Sequence, residues 1–291
     1  MTKSTTLNLL LAAGILTASP LLGTTTLAQD AQDSKTKAAE TLPTPREVID
    51  RFIEVTGGME AYKAHPFRTA KGYFEMPAMG MRGVMVIRQA APNLMVASIE
   101  LPGMGSMMTG FNGTTGWSTN PMQGPMIMEG KQLEQVKREA DFFGSVDILK
   151  NFKEARTVGI AEFNGEKCYQ LKLTGEEGIT NVYYSVESGL AVGRKSVEIS
   201  PMGEVPSVMT ISGYKDFGGV LTPTMQSIEA MGQKQNLVTE TVTFEELEPS
   251  VFALPPEIKT LVEARDKKAG DAEEDAPKSE EPEKDAGKSG S

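Results

Sequence analysis

Few residues in this chain could do chemistry. His65 is the single histidine and Cys168 the single cysteine. A nucleophile–histidine arrangement could therefore use only His65, and a multi-histidine metal site has no second member. His65 precedes Pro66 in a segment that reads as a loop, which suits a structural or exposed role. Cys168 falls inside an alternating strand pattern, where a lone cysteine acts as a small apolar residue. One cysteine also rules out an intrachain disulfide. No glycine-rich loop links a strand to a helix in the manner of a phosphate cradle. Glu245-Glu246 reads as a solvated strand end. The expectation is no catalytic residue, no cofactor and no metal site of the histidine–cysteine kind: a protein that is not an enzyme.

Thioether is what the chain has in quantity. Of 17 methionines, 11 lie between Met76 and Met128. Methionine is unbranched and polarisable, and it suits surfaces that must fit varied apolar partners. Three uses are open: capping hydrophobic strand ends, forming an adaptable apolar mouth, or capturing copper(I) through thioethers. The lack of clustered His and Cys weakens the third.

The elements that must position these residues follow from periodicity. Thr44 is a helix N-cap, Pro45 suits the first helical position and Glu47 completes a capping box. Val48, Phe52 and Val55 share a face of that helix, and Gly57-Gly58 ends it. Alternating apolar and polar residues then predict strands over 70–76, 82–89, 94–101, 106–111 and 115–119, with a brief pairing near 126–128. Residues 129–142 switch to helical period, and a further short helix is expected near 146–152. Seven more strands follow over 157–163, 167–174, 180–186, 190–199, 207–217, 220–230 and 235–247. The fold class is mainly β, an antiparallel meander with a few helices.

The turns carry a pattern. Pro77-Ala-Met-Gly80, Pro102-Gly-Met-Gly105 and Pro121-Met-Gln-Gly124 follow the first, third and fifth strands. Pro201-Met-Gly-Glu204 and Ala230-Met-Gly-Gln233 keep the same parity in the second half. In a meander, alternate turns lie on one rim, so each half gathers its methionines there. Whether the two rims coincide depends on the 129–152 connection.

Both ends differ from this core. Residues 1–28 read as a secretory signal: Lys3, an apolar run from Leu9 to Leu22, and Thr26-Leu27-Ala28 before cleavage. The run is too short and too rich in Gly, Ser, Thr and Pro for a membrane span. The mature protein is thus expected in the periplasm or outside the cell, not spanning a membrane. Residues 29–43 read as a flexible leader and 44–262 as one domain. Residues 263–291, nearly all charged or small, read as a disordered tail. The net charge of −10 argues against a nucleic-acid partner.

Certain stretches together carry a family resemblance. They are Gly83-Val-Met-Val-Ile-Arg88, Asn93-Leu-Met95, Phe111-Asn-Gly113 with Trp117, and Val251-Phe-Ala-Leu-Pro-Pro256. The chain resembles the LolA/LolB-type periplasmic lipoprotein carriers and their outer-membrane lipoprotein-sorting relatives over roughly residues 45–260. The resemblance implies an open half-barrel: one curved antiparallel sheet with helices covering its concave face and acyl chains held between. Met95 stands where such carriers tend to have an arginine, so that residue's lid-closing contact is not carried over. The N-terminal lipid anchor of the LolB type is missing as well. Hiding an acyl chain of about fifteen methylenes is worth roughly 12 kcal/mol. The expected function is non-enzymatic binding of lipid or lipoprotein acyl chains. Phe74, Met76, Met85, Met95, Ile99, Met107 and Trp117 would line the cavity, with Val48 and Phe52 in the lid. The alternative is an envelope module that docks a partner protein through the methionine rim.

Overall fold

The structure, a computed structural model, describes residues 41–175, 178–200 and 203–274. The expected signal peptide and most of the leader lie outside these residues. A capping box opens helix α1 (Pro45–Val55): Thr44 Oγ1 accepts from Glu47 N at 3.3 Å and Glu47 Oε2 accepts from Thr44 N at 2.7 Å. Helix α2 (Gly58–Ala64) follows directly.

Thirteen antiparallel strands then form one sheet. The first six are β1 (Phe67–Met76), β2 (Met81–Ala90), β3 (Leu94–Leu101), β4 (Gly105–Phe111), β5 (Gly116–Asn120) and β6 (Gly124–Ile127). Helix α3 (Gly130–Ala140) and a single 3-10 turn, Ile148–Asn151, connect the halves. The second half comprises β7 (Glu154–Phe163), β8 (Glu166–Gly175), β9 (Gly178–Ser185), β10 (Ala191–Ser200), β11 (Gly203–Phe217), β12 (Val220–Ala230) and β13 (Gln233–Thr243). Helix α4 (Pro256–Glu274) closes the described chain.

Strand order is β6-β5-β4-β3-β2-β1-β13-β12-β11-β10-β9-β8-β7, so each half is a meander and β1 is joined to β13. The sheet is not closed, and it has the architecture of an open half-barrel. Its curvature follows from α3, which touches β3, β4 and β5 and also reaches β10. β4 and β10 are seven strand steps apart in the order, about 34 Å on a flat sheet. A helix of 11 residues is only about 16 Å long, so the sheet must bend to bring both ends to it. Register shifts at Lys71/Gly72, Ala191/Gly193 and Thr157/Gly159 mark bulges of the kind that bend strands. At the β1–β13 seam Gly72 is needed: a Cβ there would lie 1.8 Å from the Val238 carbonyl oxygen.

Alternation gives the sheet two faces. The methionine face carries Phe74, Met76, Met81, Met85, Met95, Ile99, Met107 and Phe111, which the register places in line across β1 to β4. Over the second half of this face, α1 buries Val48, Ile49, Phe52 and Ile53 against Leu171, Leu173, Val182 and Tyr184. Phe52 meets Tyr184 edge to face with ring centroids 5.6 Å apart. The tryptophan face is covered by the C-terminal segment, whose Phe252 and Ile258 pack with Ala90, Val96 and Trp117.

One expectation about the tail is corrected. Disorder does not begin at residue 263, because α4 runs on to Glu274. Ile258, Leu261 and Val262 anchor its first turns on the tryptophan face. The stretch beyond is rich in Ala, Glu, Lys and Arg, which propagate a helix once it is nucleated. Residues 275–291 lie outside the described residues.

Candidate functional site

Six of the predicted lining residues come together. Phe74, Met76, Met85, Met95, Ile99 and Met107 share the methionine face of β1 to β4, as the register requires. Phe74, Met76 and Leu101 form one cluster with Met81, Ile99, Met107 and Leu237. Met95 and Phe111 form another beneath α3, with Val136 and Ala140. Their side chains are packed shut: Phe74 is 4% exposed, Met76 3%, Met85 2% and Met95 6%. Ile99 and Met107 are partly exposed.

Val48 and Phe52 are not with them. They sit on α1 over the second half of the sheet, in the cluster of Leu171 and Tyr184. A groove of about 260 Å³ opens there beside Val48, Arg51, Tyr169 and Tyr184, slightly under the range usual for small-molecule pockets.

Trp117 is a correction. It pairs with Gly110 and points to the opposite face, where it is 1% exposed under Phe252 and Ile258. The reason is the period of a strand: Gly116 faces α3, so its neighbour cannot. The two glycines beside it are the close-approach points of the two faces. A Cβ on Gly110 would lie 2.6 Å from the Trp117 ring, and one on Gly116 would lie 2.6 Å from Val136 Cγ1.

Over Met95 and Phe111 lies α3, which sequence reasoning placed in a connection. Val136 and Ala140 are its buried residues, with Leu133 partly buried. At its start, Lys131 Nζ lies 2.6 Å from Glu204 Oε1 at the β10–β11 turn, and both side chains are more than half exposed. Just past its end, Phe142 N donates to the Pro92 carbonyl at 3.0 Å. Helix α3 thus crosses diagonally from the second half of the sheet to the far turn of the first.

The question of the two rims is answered by the β1–β13 seam. Glu75 pairs with Asn236, so the end of β1 lies beside the start of β13. The turns after β1, β3, β5, β10 and β12 therefore share one rim. Met79 is 40% exposed there, Met104 37% and Met122 51%. Pro201 and Met202 lie outside the described residues.

A polar node interrupts the apolar trough at the opposite end of β1. Arg68 Nε donates to Gln89 Oε1 at 3.1 Å, and its Nη2 makes a second, short contact to the same oxygen. Gln89 passes its amide N–H to the Glu139 carbonyl of α3 at 3.3 Å. The Arg68 guanidinium lies 5.3 Å from the centre of the Phe142 ring. Burial lowers the Arg68 pKa below its ordinary value, and the nearby Tyr62 phenol opposes that only in part.

Neither lone reactive residue is set up for catalysis. His65 Nε2 bonds the Gly218 carbonyl at 2.9 Å, and its ring stacks on Phe244 at 4.0 Å. Cys168 is fully buried, and burial pushes its thiol pKa up, away from the reactive thiolate. Among the described residues, no group of three or more His, Cys, Asp and Glu could hold a metal ion.

Comparison with solved structures shows a fold similar to that of a LolA superfamily protein and of a DUF1329 family protein. A LolA superfamily protein from Nitrosomonas europaea aligns over 73% of this chain and 99% of its own, at 13% identity and a TM-score of 0.51. A DUF1329 family protein from Desulfovibrio piger aligns over 72% and 96%, at 9% identity and a TM-score of 0.52. No family model and no curated protein matches the sequence. Among the described residues, no helix is long and apolar enough to cross a membrane.

Proposed function

We propose that this protein is a non-enzymatic periplasmic carrier of lipid or lipoprotein acyl chains, with α3 as the lid of a trough lined by Phe74, Met76, Met85, Met95, Ile99 and Met107. Val48 and Phe52 hold the fixed lid over the other half. The observation that carries this reading is a single helix lying across a bent sheet whose same face is methionine-rich. Lifting α3 uncovers Val136, Ala140, Met95 and Phe111 and, in part, Leu133 and Met128, each large buried side chain costing about 1.5–3 kcal/mol. Enclosing an acyl chain of about fifteen methylenes returns about 12 kcal/mol, a gain of the size needed to offset that cost. Methionines can swing aside where branched residues could not, and those exposed on the rim give an apolar approach to the trough.

Protein purified without detergent from its host should carry lipid detectable by native mass spectrometry after buffer exchange. Substituting Met85→Asp and Met107→Asp together should abolish that load. A lipid-free wild-type protein that also fails to displace a fluorescent fatty acid would defeat the proposal. The exposed rim methionines also support docking of an envelope protein. Lipid-free protein that nevertheless captures one defined partner through Met79, Met104 and Met122 would favour that second reading.

A further inference from the structure

The trough ends in a cation. Arg68 is on the methionine face, in register with Gln89, and its surroundings are Phe142, the Tyr62 end of α2 and the start of the β2–β3 turn. Among the described residues its hydrogen bonds both go to one neutral amide oxygen. Among the described residues no carboxylate lies within 4.0 Å of it. A guanidinium carries five donors in a planar fork that matches a carboxylate or phosphate, and Arg68 is only partly buried, so its remaining N–H groups are within reach of a ligand. The chain has many exposed carboxylates free to serve, yet its fold supplies none here.

Alignment with the trough adds a second constraint. Along β1, Ala70, Gly72, Phe74 and Met76 continue the same face from Arg68 to the methionine rim. The eight residue steps from Arg68 to Met76 span about 26 Å. An elongated apolar body could therefore lie over Phe74 and Met76 with its polar end at Arg68.

We infer that Arg68 is a headgroup site and that the cargo is an acidic amphiphile, whose carboxylate or phosphate pairs with the guanidinium while its hydrocarbon lies along the methionine face. This rests on the carrier reading above and narrows it from apolar chains in general to singly acylated anions. The Gln89 oxygen holds the fork in the trough, and the ligand's oxygens take the remaining N–H groups. Both sources of the acidic group, a free fatty acid and a phosphorylated lipid, present the two-oxygen edge that the fork recognises.

The test uses the full chain and three probes of equal tail length: dodecanoate, dodecyl phosphate and dodecanol, each titrated by calorimetry at neutral pH below its aggregation limit. The wild type should bind at least one anion about tenfold or more tighter than the alcohol, the ratio expected of a charge-assisted hydrogen bond. Whichever anion binds more tightly identifies the source of the acidic group. In Arg68→Met that preference of acid over alcohol should disappear, and Arg68→Lys should retain part of it. Equal binding of acid and alcohol by the wild type, or a preference that survives in R68M, overturns the headgroup site and leaves the carrier reading standing. Failure of all three probes to bind takes down both. The wild-type comparison decides the matter even if a variant does not fold.

Discussion

Two glycines one strand apart offer a direct way to separate the lid from the rest of the fold. Gly116 faces α3, and a Cβ there would stand 2.6 Å from Val136 Cγ1, 3.1 Å from Leu133 Cδ1 and 3.3 Å from Met128 Cβ. Contact distances below about 3.4 Å cannot be kept, so Gly116→Ala must push α3 away from β5. Overpacking of this kind costs roughly 1–3 kcal/mol. Because the clash falls on the α3 side chains Val136 and Leu133, that cost should appear as loosening of α3. Gly110 is the matched control. Its added Cβ would stand 2.6 Å from the Trp117 ring on the other face, so Gly110→Ala should loosen α4 and leave α3 alone. The assay is native-state hydrogen exchange read on the peptide covering α3. G116A should lower protection there by about 5- to 150-fold, the range that corresponds to 1–3 kcal/mol, with β1 and β2 unchanged. G110A should leave that peptide within about twofold of wild type. Equal protection of α3 in G116A and wild type, or loss of α3 protection in G110A, would refute α3 as a separately opening element.

Other outcomes follow from the same geometry. Ile258→Ala empties a fully buried site beneath α4; it should cost about 2–5 kcal/mol in denaturant unfolding and red-shift the emission of Trp117, the single tryptophan. Lys131→Glu sets like charges at Glu204. An exposed pair contributes no more than about 1 kcal/mol, so exchange at the start of α3 should quicken by less than about fivefold, and the effect should fade in high salt. The Glu47 carboxylate is held below its ordinary pKa of 4.5 by the Thr44 backbone and hydroxyl. A lowered folded pKa means its contribution is complete above that value and is lost as pH falls through the folded one. Glu47→Gln should therefore melt below wild type at neutral pH, and the gap should narrow steadily in acid.

The meander itself was legible because its signals are local. The Thr44-Pro45-Glu47 cap, the alternation in residues 70–76 and 94–101, and the glycine turns each act within a few residues. The thirteen strands follow at nearly the expected places. The seam between β1 and β13 was not legible, since nothing near Thr69 specifies Thr243 as its partner. That pairing decides whether the two methionine rims coincide. The placing of the helices was not legible for a related reason. Both α1 and α3 carry an apolar stripe, but which part of the sheet a helix crosses is not something periodicity can report. Trp117 could be read as core or as groove wall, because nothing local fixes which face of the sheet its strand turns inward. Its face could have been read from Met95 across the Phe111–Gly116 pairing, had the register been known. Arg68 gave no sequence signal, because a basic residue at a strand start is ordinarily solvated.

The seam has a further consequence for how the molecule is made. Thr69 and Thr243 are 174 residues apart in sequence yet bonded neighbours in the sheet. The first strand synthesised has one side without a permanent neighbour until the thirteenth has emerged. Ring closures of that length are entropically slow, so the halves must each zip up first and then dock. Refolding should therefore show a late, slow step in which β1 meets β13, preceded by a state whose open edges invite aggregation.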